Sequence, residues 1–326
     1  MQSIPLGSTG RITSRLGFGC SSIMGALNRR QSLTLLETAF DAGIRHFDTA
    51  PMYGYGDAES CLGDFLARHP DQVTITTKFG IPAAKNRPLI RIARTALGPL
   101  VQRFPALKKG LQRTAQPVIT DPQTPNPIFS VNQARASLET SLTALKTERI
   151  DVWLLHEVNA IDLTHDSLLR FLEDAVREGK IGTFGVGSER TSIPGLIAKH
   201  PGYCRVAQYE WSVLNPSIPE TPYFRIHHRA LSKHFHALIA LLQAQPEQCK
   251  RWSAEIGADL ASPSTLANLM LKASFLLNSA SILLFSSKNS EHIHANVAIG
   301  DSDALDASAR QLYKIFQRDL PNLTDG

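Results

Sequence analysis

The sequence predicts a (β/α)8 TIM barrel, with an N-terminal β-hairpin as a cap and a long insertion after its third barrel strand. Short β-branched, apolar runs alternate with amphipathic stretches, a pattern that favours a parallel sheet wrapped by helices. The length, 326 residues, accommodates one barrel of roughly 250 residues plus an insertion. Three of the apolar runs each deliver a titratable side chain at the carboxyl end. The run around Phe47 ends at Asp48, residues 73–77 lead into Lys78, and residues 151–155 lead into His156. Barrels of this class carry their sites on that rim.

Residues 2–10, with Gly7 and Gly10 as turn formers and Ile12 resuming an extended pattern, read as the hairpin. Residues 15–19 form the first barrel strand and run into a tight loop at Cys20, Ser21 and Ser22. The segment 31–42 places Leu33, Leu36, Ala39 and Phe40 on one face, and Gly43 stops it. Pro51 and Gly54 force a turn after the second strand, setting Tyr53 five residues beyond Asp48. A helix over 58–67 then turns Cys61, Leu62, Phe65 and Leu66 inward.

After the third strand the regularity breaks over residues 79–130, which carry prolines at 82, 88, 99, 105, 117, 122, 125 and 127. A connection this long on a compact domain is functional or disordered. It leaves the carboxyl end of a strand and is therefore expected over the rim. Helix 131–145 restores the pattern, followed by the strand ending at His156, helix 167–178, strand 181–186, helix 193–199 and strand 206–209. Leu231, Phe235, Leu238, Ile239 and Leu242 recur at helical spacing, so 229–243 read as one helix rather than a helix followed by a strand. Strand seven is then 223–228, reached through a proline-rich loop. Helices 246–256 and 263–277 follow, the second opened by Ser262 as cap and Pro263 in the first turn. Strand 281–285, helix 291–298 and a last helix over 303–318 complete a single domain spanning 1–326.

A hydrophobic content of 43% is normal for a chain with a sizeable core. The N-terminus lacks a basic stretch followed by an apolar run, and no stretch reaches membrane-spanning length, so a cytoplasmic location is expected. Cys20, Cys61, Cys204 and Cys249 have no paired spacing, which points to neither a disulfide framework nor a zinc site. His227, His228, His234 and His236 have no acid or cysteine nearby at ligand spacing, and no metal is expected. The net charge of +5 is uneven. Lys85, Arg87, Arg91, Arg94, Arg103, Lys108, Lys109 and Arg113 fall in a stretch without acids, leaving −3 for the rest. That basic segment reads as a solvated loop, as a lid drawing an anionic substrate to the rim, or as an amphipathic surface using Leu89, Ile90, Ile92, Leu97, Leu100 and Val101. Aromatic platforms for nucleic acid are lacking.

Asp48, Tyr53, Lys78 and His156 suit proton delivery to a carbonyl oxygen. An unperturbed phenol, with a pKa of about 10, is a poor acid at neutral pH. A lysine beside it favours the phenolate and lowers that pKa, and a carboxylate beside the lysine keeps the ammonium charged. Tyr53 is then the general acid and His156 a second hydrogen-bond donor to the same oxygen. Each residue alone has an ordinary structural explanation, but four residue types placed together at strand ends point to a site.

The run Asp48-Thr49-Ala50-Pro51-Met52-Tyr53-Gly54, with Glu59, Leu62-Gly63, Thr77-Lys78 and Leu154-Leu155-His156, resembles the aldo-keto reductase family. The resemblance covers most of the chain and weakens over 214–259. It implies a nicotinamide cofactor, hydride transfer to an aldehyde or ketone as the small-molecule partner, and catalytic roles for Asp48, Tyr53, Lys78 and His156. Carried over residue by residue, it implies that Ser188 and Gln208 bind the carboxamide, that Ser287, Lys288 and Asn289 contact the 2′-phosphate, and that Asn296 contacts the adenine. The helix opening after Ser287-Lys288-Asn289 also favours a phosphate on physical grounds. His292 and Ala295 depart from the arginine and glutamate of many members, so NADPH over NADH rests mainly on Lys288 and the habit of the family. The aromatic residue expected at the end of strand seven has Tyr223, Phe224 and His228 as candidates. A monomer without membrane or nucleic-acid partners is expected. The alternative is a regulatory protein that binds the cofactor on the same barrel with little turnover.

Overall fold

The computed structural model describes residues 1–25, 27–82, 129–215, 223–231 and 234–320. An antiparallel hairpin, Ser3–Pro5 (β1) with Ile12–Ser14 (β2), precedes the barrel. The barrel strands are Leu16–Gly19 (β3), His46–Asp48 (β4), Thr74–Phe79 (β5) and Ile150–His156 (β6). They continue with Ile181–Gly187 (β7), Val206–Glu210 (β8), Phe224–His228 (β9) and Ser281–Phe285 (β10). Each is parallel to both neighbours, and β10 closes onto β3, giving the expected eight-stranded barrel.

The two-residue period of a strand divides the side chains between inside and outside. In β6, Val152 and Leu154 fill the interior with Val206, Ile226, Ile282 and Leu284, while Trp153 and Leu155 pack outward under the helices. Leu6 of the hairpin belongs to the interior group, so the hairpin plugs the amino end. Continuing the inward series carries His156 to the opposite rim. The same logic on β4 and β5 stacks a polar layer beneath Asp48 and Lys78. There the His46 ring contacts Thr74 Oγ1 at 2.9 Å and Thr76 Oγ1 at 3.1 Å. Burial, with Lys78 adding to it, pushes the His46 imidazole down to about 3, so this layer is neutral.

Outside the barrel run Arg29–Asp41 (α1), Ala58–Leu66 (α2), Val131–Leu145 (α3), Asp166–Arg177 (α4) and Ile193–Lys199 (α5). Helix α1 starts two residues before the position expected because Asn28 caps it. Asn28 Oδ1 accepts from the Gln31 N–H at 2.9 Å, and Gln31 Oε1 accepts from the Asn28 N–H at 3.1 Å. Glu59 is buried and accepts a hydrogen bond from Thr77 Oγ1 at 2.7 Å. It ties α2 to the strand that carries Lys78.

Strand seven occupies Phe224–His228, and the periodic run after it forms one helix, His234–Ala244 (α6), which starts later than the 229 expected, with Leu231 in a bend before it. Pro246–Ile256 (α7) and Pro263–Leu277 (α8) follow before β10, and α8 has the cap expected: Ser262 Oγ accepts from the Thr265 N–H at 3.3 Å. Ser290–Asp301 (α9) is longer than the 291–298 expected, and the last helix splits into a short 3-10 turn and Asp306–Asp319 (α10). Helices α6, α7, α8 and α10 share a second apolar cluster around Trp252. Its indole N–H donates to Asp319 Oδ2 at 2.7 Å.

Residues 83–128, and with them the basic stretch and its apolar positions, lie outside the described residues, as do 216–222. The two ends of the insertion meet at the rim. Phe129 stands edge-on to Phe79 with ring centroids 5.7 Å apart, and Phe79 stacks on Trp153 at 4.4 Å. Among the described residues no helix is long and apolar enough to cross a membrane, and no group of three or more His, Cys, Asp and Glu side chains is placed to hold a metal ion.

Candidate active site

Asp48, Tyr53, Lys78 and His156 come together at the carboxyl rim. Lys78 is 2% exposed, and its Nζ donates to Asp48 Oδ1 at 2.7 Å and to the Thr49 carbonyl at 2.9 Å. The ammonium lies 5.1 Å from the centroid of the Tyr53 ring. Tyr53 meets His156 edge-on, with centroids 6.2 Å apart and planes at 87°. A phenol, an ammonium, a carboxylate and an imidazole thus share one patch, buried apart from the half-buried Tyr53 and supplied by β4, the turn after it, β5 and β6.

The Tyr53 turn is held by backbone geometry. Gly54 and Tyr55 both adopt left-handed conformations, at φ +59° and +58°. A Cβ on Gly54 would lie 2.6 Å from Met24 Cβ and 2.7 Å from the Ile23 carbonyl. Only glycine lets the loop after β3 approach so closely.

Electrostatics depart from the simple expectation for Tyr53. Burial raises its pKa and outweighs the lowering by Lys78, with Asp48 and Glu157 adding to the rise. The expected net drop is therefore reversed, because removing a phenolate from water costs more than one neutralised ammonium returns. Burial pulls the Lys78 pKa down, but Asp48 and then Tyr53 raise it to a net increase, so the ammonium stays charged. Burial, then Lys78 and His228, holds His156 well below the usual imidazole range. His156 is neutral at physiological pH, and its Nδ1 is buried without a hydrogen-bond partner among the described residues.

A contact that sequence reasoning missed crosses the barrel mouth. Gln208, on β8, donates from Nε2 to Asp48 Oδ2 at 2.6 Å. β8 and β4 stand on opposite sides of the closed sheet. Both carboxylate oxygens are therefore engaged, one by Lys78 and one by Gln208. Separation along the chain hides this pairing, and only closure of the barrel produces it.

Ser188 stands just beyond β7, and its hydroxyl donates to the Val158 carbonyl at 2.6 Å. Its lone pairs remain as acceptors, as does Gln208 Oε1. Between the two, Gly187 has no side chain, and a Cβ there would lie 3.5 Å from Gln208 Oε1. Two acceptors flanking a bare backbone fit the NH2 donor of a carboxamide. The turn before α9 offers a second fit. Ser287 Oγ donates to the Asn289 carbonyl at 2.9 Å and accepts from its N–H at 3.0 Å, and Asn289 Oδ1 caps the Glu291 N–H at 2.8 Å. Side chains brace this turn, Lys288 is exposed, and Asn296 is half-buried on the helix that follows. The donor set suits an anion, although Ser287 and Asn289 spend part of their capacity on the turn. The two groups sit at different places on the rim, Ser188 and Gln208 at the ends of β7 and β8 and the turn of Ser287, Lys288 and Asn289 beyond β10.

Among curated proteins, the chain is 34% identical over 179 residues to a D-threo-aldose 1-dehydrogenase of Pseudomonas sp, covering 53% of this chain and 49% of that protein. The chain therefore spans about half the length of that relative. Among solved structures, an aldo-keto reductase from Bacillus halodurans in its holo form superposes with a TM-score of 0.69 at 18% identity, covering 97% of this chain and 96% of that one. An aldo-keto reductase from Klebsiella pneumoniae in complex with NADPH gives a TM-score of 0.62 at 19% identity, with 96% of each chain covered. These likenesses are to the fold. The model of the Aldo/keto reductase family matches residues 15–233, which include β3 to β9 and all four residues of the patch. With that match over two-thirds of its length, the chain belongs to the aldo/keto reductase family.

Proposed function

We propose that the protein reduces an aldehyde or ketone with NADPH, and that Tyr53 is the general acid. The observation that carries this reading is the buried patch in which Lys78 bonds Asp48 at 2.7 Å beside the rings of Tyr53 and His156. A nicotinamide cofactor, when bound, would supply the hydride to the carbonyl carbon. Negative charge developing on the carbonyl oxygen is met by the Tyr53 O–H, which gives up its proton, and by an N–H of the neutral His156. Lys78, held charged by Asp48, stabilises the phenolate left behind. The raised phenol pKa keeps Tyr53 protonated at neutral pH, so the donor is present before each turnover.

In this reading Ser188 and Gln208 hold the carboxamide, Ser287, Lys288 and Asn289 the 2′-phosphate, and Asn296 the adenine. Preference for NADPH then depends on Lys288. Lys288→Ala is expected to raise the KM for NADPH about tenfold while hardly changing that for NADH, the loss of one charge-assisted phosphate contact. Equal effects on both cofactors would remove Lys288 from the phosphate site. The partner is a small carbonyl compound, acted on by a single barrel domain over 1–326.

NADPH oxidation against a panel of aldehydes, ketones and sugars tests the reaction itself. Oxidation with at least one substrate class is expected. Tight NADPH binding with no oxidation across the panel would favour a cofactor-binding regulatory protein instead. Gly54→Ala should lower turnover more than tenfold and destabilise the fold by about 1–3 kcal/mol, since it places a Cβ against Met24 in a left-handed conformation. Urea midpoints and kcat measured together check this; unchanged values would show that the turn does not position Tyr53.

A further inference from the structure

Gln208 is held by its backbone on both sides. It pairs with Gly187 on β7 and with Ile226 on β9, and its carbonyl accepts from the Ser188 N–H at 3.1 Å. From there the side chain, 3% exposed, reaches across the barrel interior to the buried Asp48. An ionised carboxylate only accepts hydrogen bonds, so the end of the amide that meets it is the NH2. The 2.6 Å bond from Nε2 to Oδ2 therefore fixes which way the amide points and turns Oε1 away from Asp48.

Lys78 by itself does not fix the carboxylate. Its ammonium engages Oδ1, at 2.7 Å, and the last torsion of an aspartate is soft. A second donor at Oδ2 removes that freedom. Lys78 also spends an N–H on the Thr49 carbonyl at 2.9 Å, which leaves one of its three for Tyr53, whose ring centroid is 5.1 Å away. That last N–H is aimed only if the carboxylate holding the ammonium does not turn. The donor on Oδ2 is neutral, whereas a second cation there would compete with Lys78 for Asp48 and leave the buried group with net charge.

We propose that Gln208 is a positioning residue for the proton donor: its amide locks Asp48, Asp48 locks Lys78, and Lys78 holds the phenolate that Tyr53 leaves. The role is separate from the carboxamide contact assigned to Gln208, and it rests on the reductase reading above.

The test uses Gln208→Leu and Gln208→Glu. Leucine fills space without a donor, so Q208L should lower kcat about tenfold, the order of one hydrogen bond to a charged group, and by more than it raises the KM for NADPH. A raised KM with kcat within about twofold of wild type would confine the amide to the cofactor and overturn the proposal. In Q208E the introduced carboxyl donates to Asp48 only while protonated. Burial and the like charge of Asp48 raise its folded pKa above the unfolded value of about 4.3. Urea midpoints of the cofactor-free variant should thus be highest below that value and fall as the pH rises through the folded one. Adding Asp48→Asn removes the like charge and should flatten the fall. Turnover of Q208E should drop over the same pH range, since a carboxylate that served the carboxamide alone would still accept its N–H and keep turnover. A fall in midpoint that Asp48→Asn leaves unchanged, or turnover that persists as the carboxyl ionises, overturns the proposal. Either result in a protein that oxidises NADPH strikes the positioning role alone. Absence of NADPH oxidation by wild type with any carbonyl substrate strikes the reductase reading and this role with it.

Discussion

Tyr53→Phe is expected to reduce kcat by about 10³-fold, in the range contributed by a positioned proton donor, with cofactor affinity nearly unchanged. Phenylalanine keeps the ring that packs edge-on to His156 and lies 5.1 Å from the Lys78 ammonium, so the patch retains its shape and loses only the proton. Cofactor fluorescence titration and steady-state turnover, measured on the same preparation, separate the two effects. Turnover retained in the variant would take the general-acid role away from Tyr53. The pH profile adds a signed expectation. A phenol is a donor only while protonated, and burial raises this one above the ordinary value of about 10. Reduction limited by this proton should hold level through neutral pH and decline only on the alkaline side beyond that value.

Lys78→Met is expected to remove turnover and also to cost about 3–5 kcal/mol of stability. Asp48 is 4% exposed, and without Lys78 its carboxylate keeps, among the described residues, only the Gln208 amide. A buried charge left without its counter-ion is far more expensive than the pair's own net contribution. The double variant Lys78→Met, Asp48→Asn leaves no charge to compensate. It should recover most of the lost stability while turnover stays absent. Urea unfolding midpoints and NADPH oxidation report the two consequences independently. A single variant as stable as wild type would contradict the buried ion pair, and a double variant that regains turnover would contradict the role given to Lys78.

The barrel was legible because its local signals agree. Strands β4, β5 and β6 are each announced by a β-branched or aromatic run, and the polar residue that ends each run lies on the rim for the same reason that the run is buried. Strand seven was legible only through the helix after it, since Leu231, Phe235 and Leu238 exclude a strand there more firmly than 223–228 declare one. The cap at Ser262 is legible in the sequence, whereas that at Asn28 is masked because its partner Gln31 itself reads as the first helical residue.

Identity, order and spacing along the chain were enough to determine that Asp48, Tyr53, Lys78 and His156 end their segments on one rim, because strand period and strand ends are local properties. The sign of the Tyr53 shift was not, since burial depends on what packs around the phenol and here exceeds the effect of Lys78. Nor were the bond from Gln208 to Asp48, the left-handed Glu157, or the contact of Gly54 with Met24. Each joins or strains groups through the closure of the sheet, and distances across a closed barrel are set by all eight strands together rather than by any one of them.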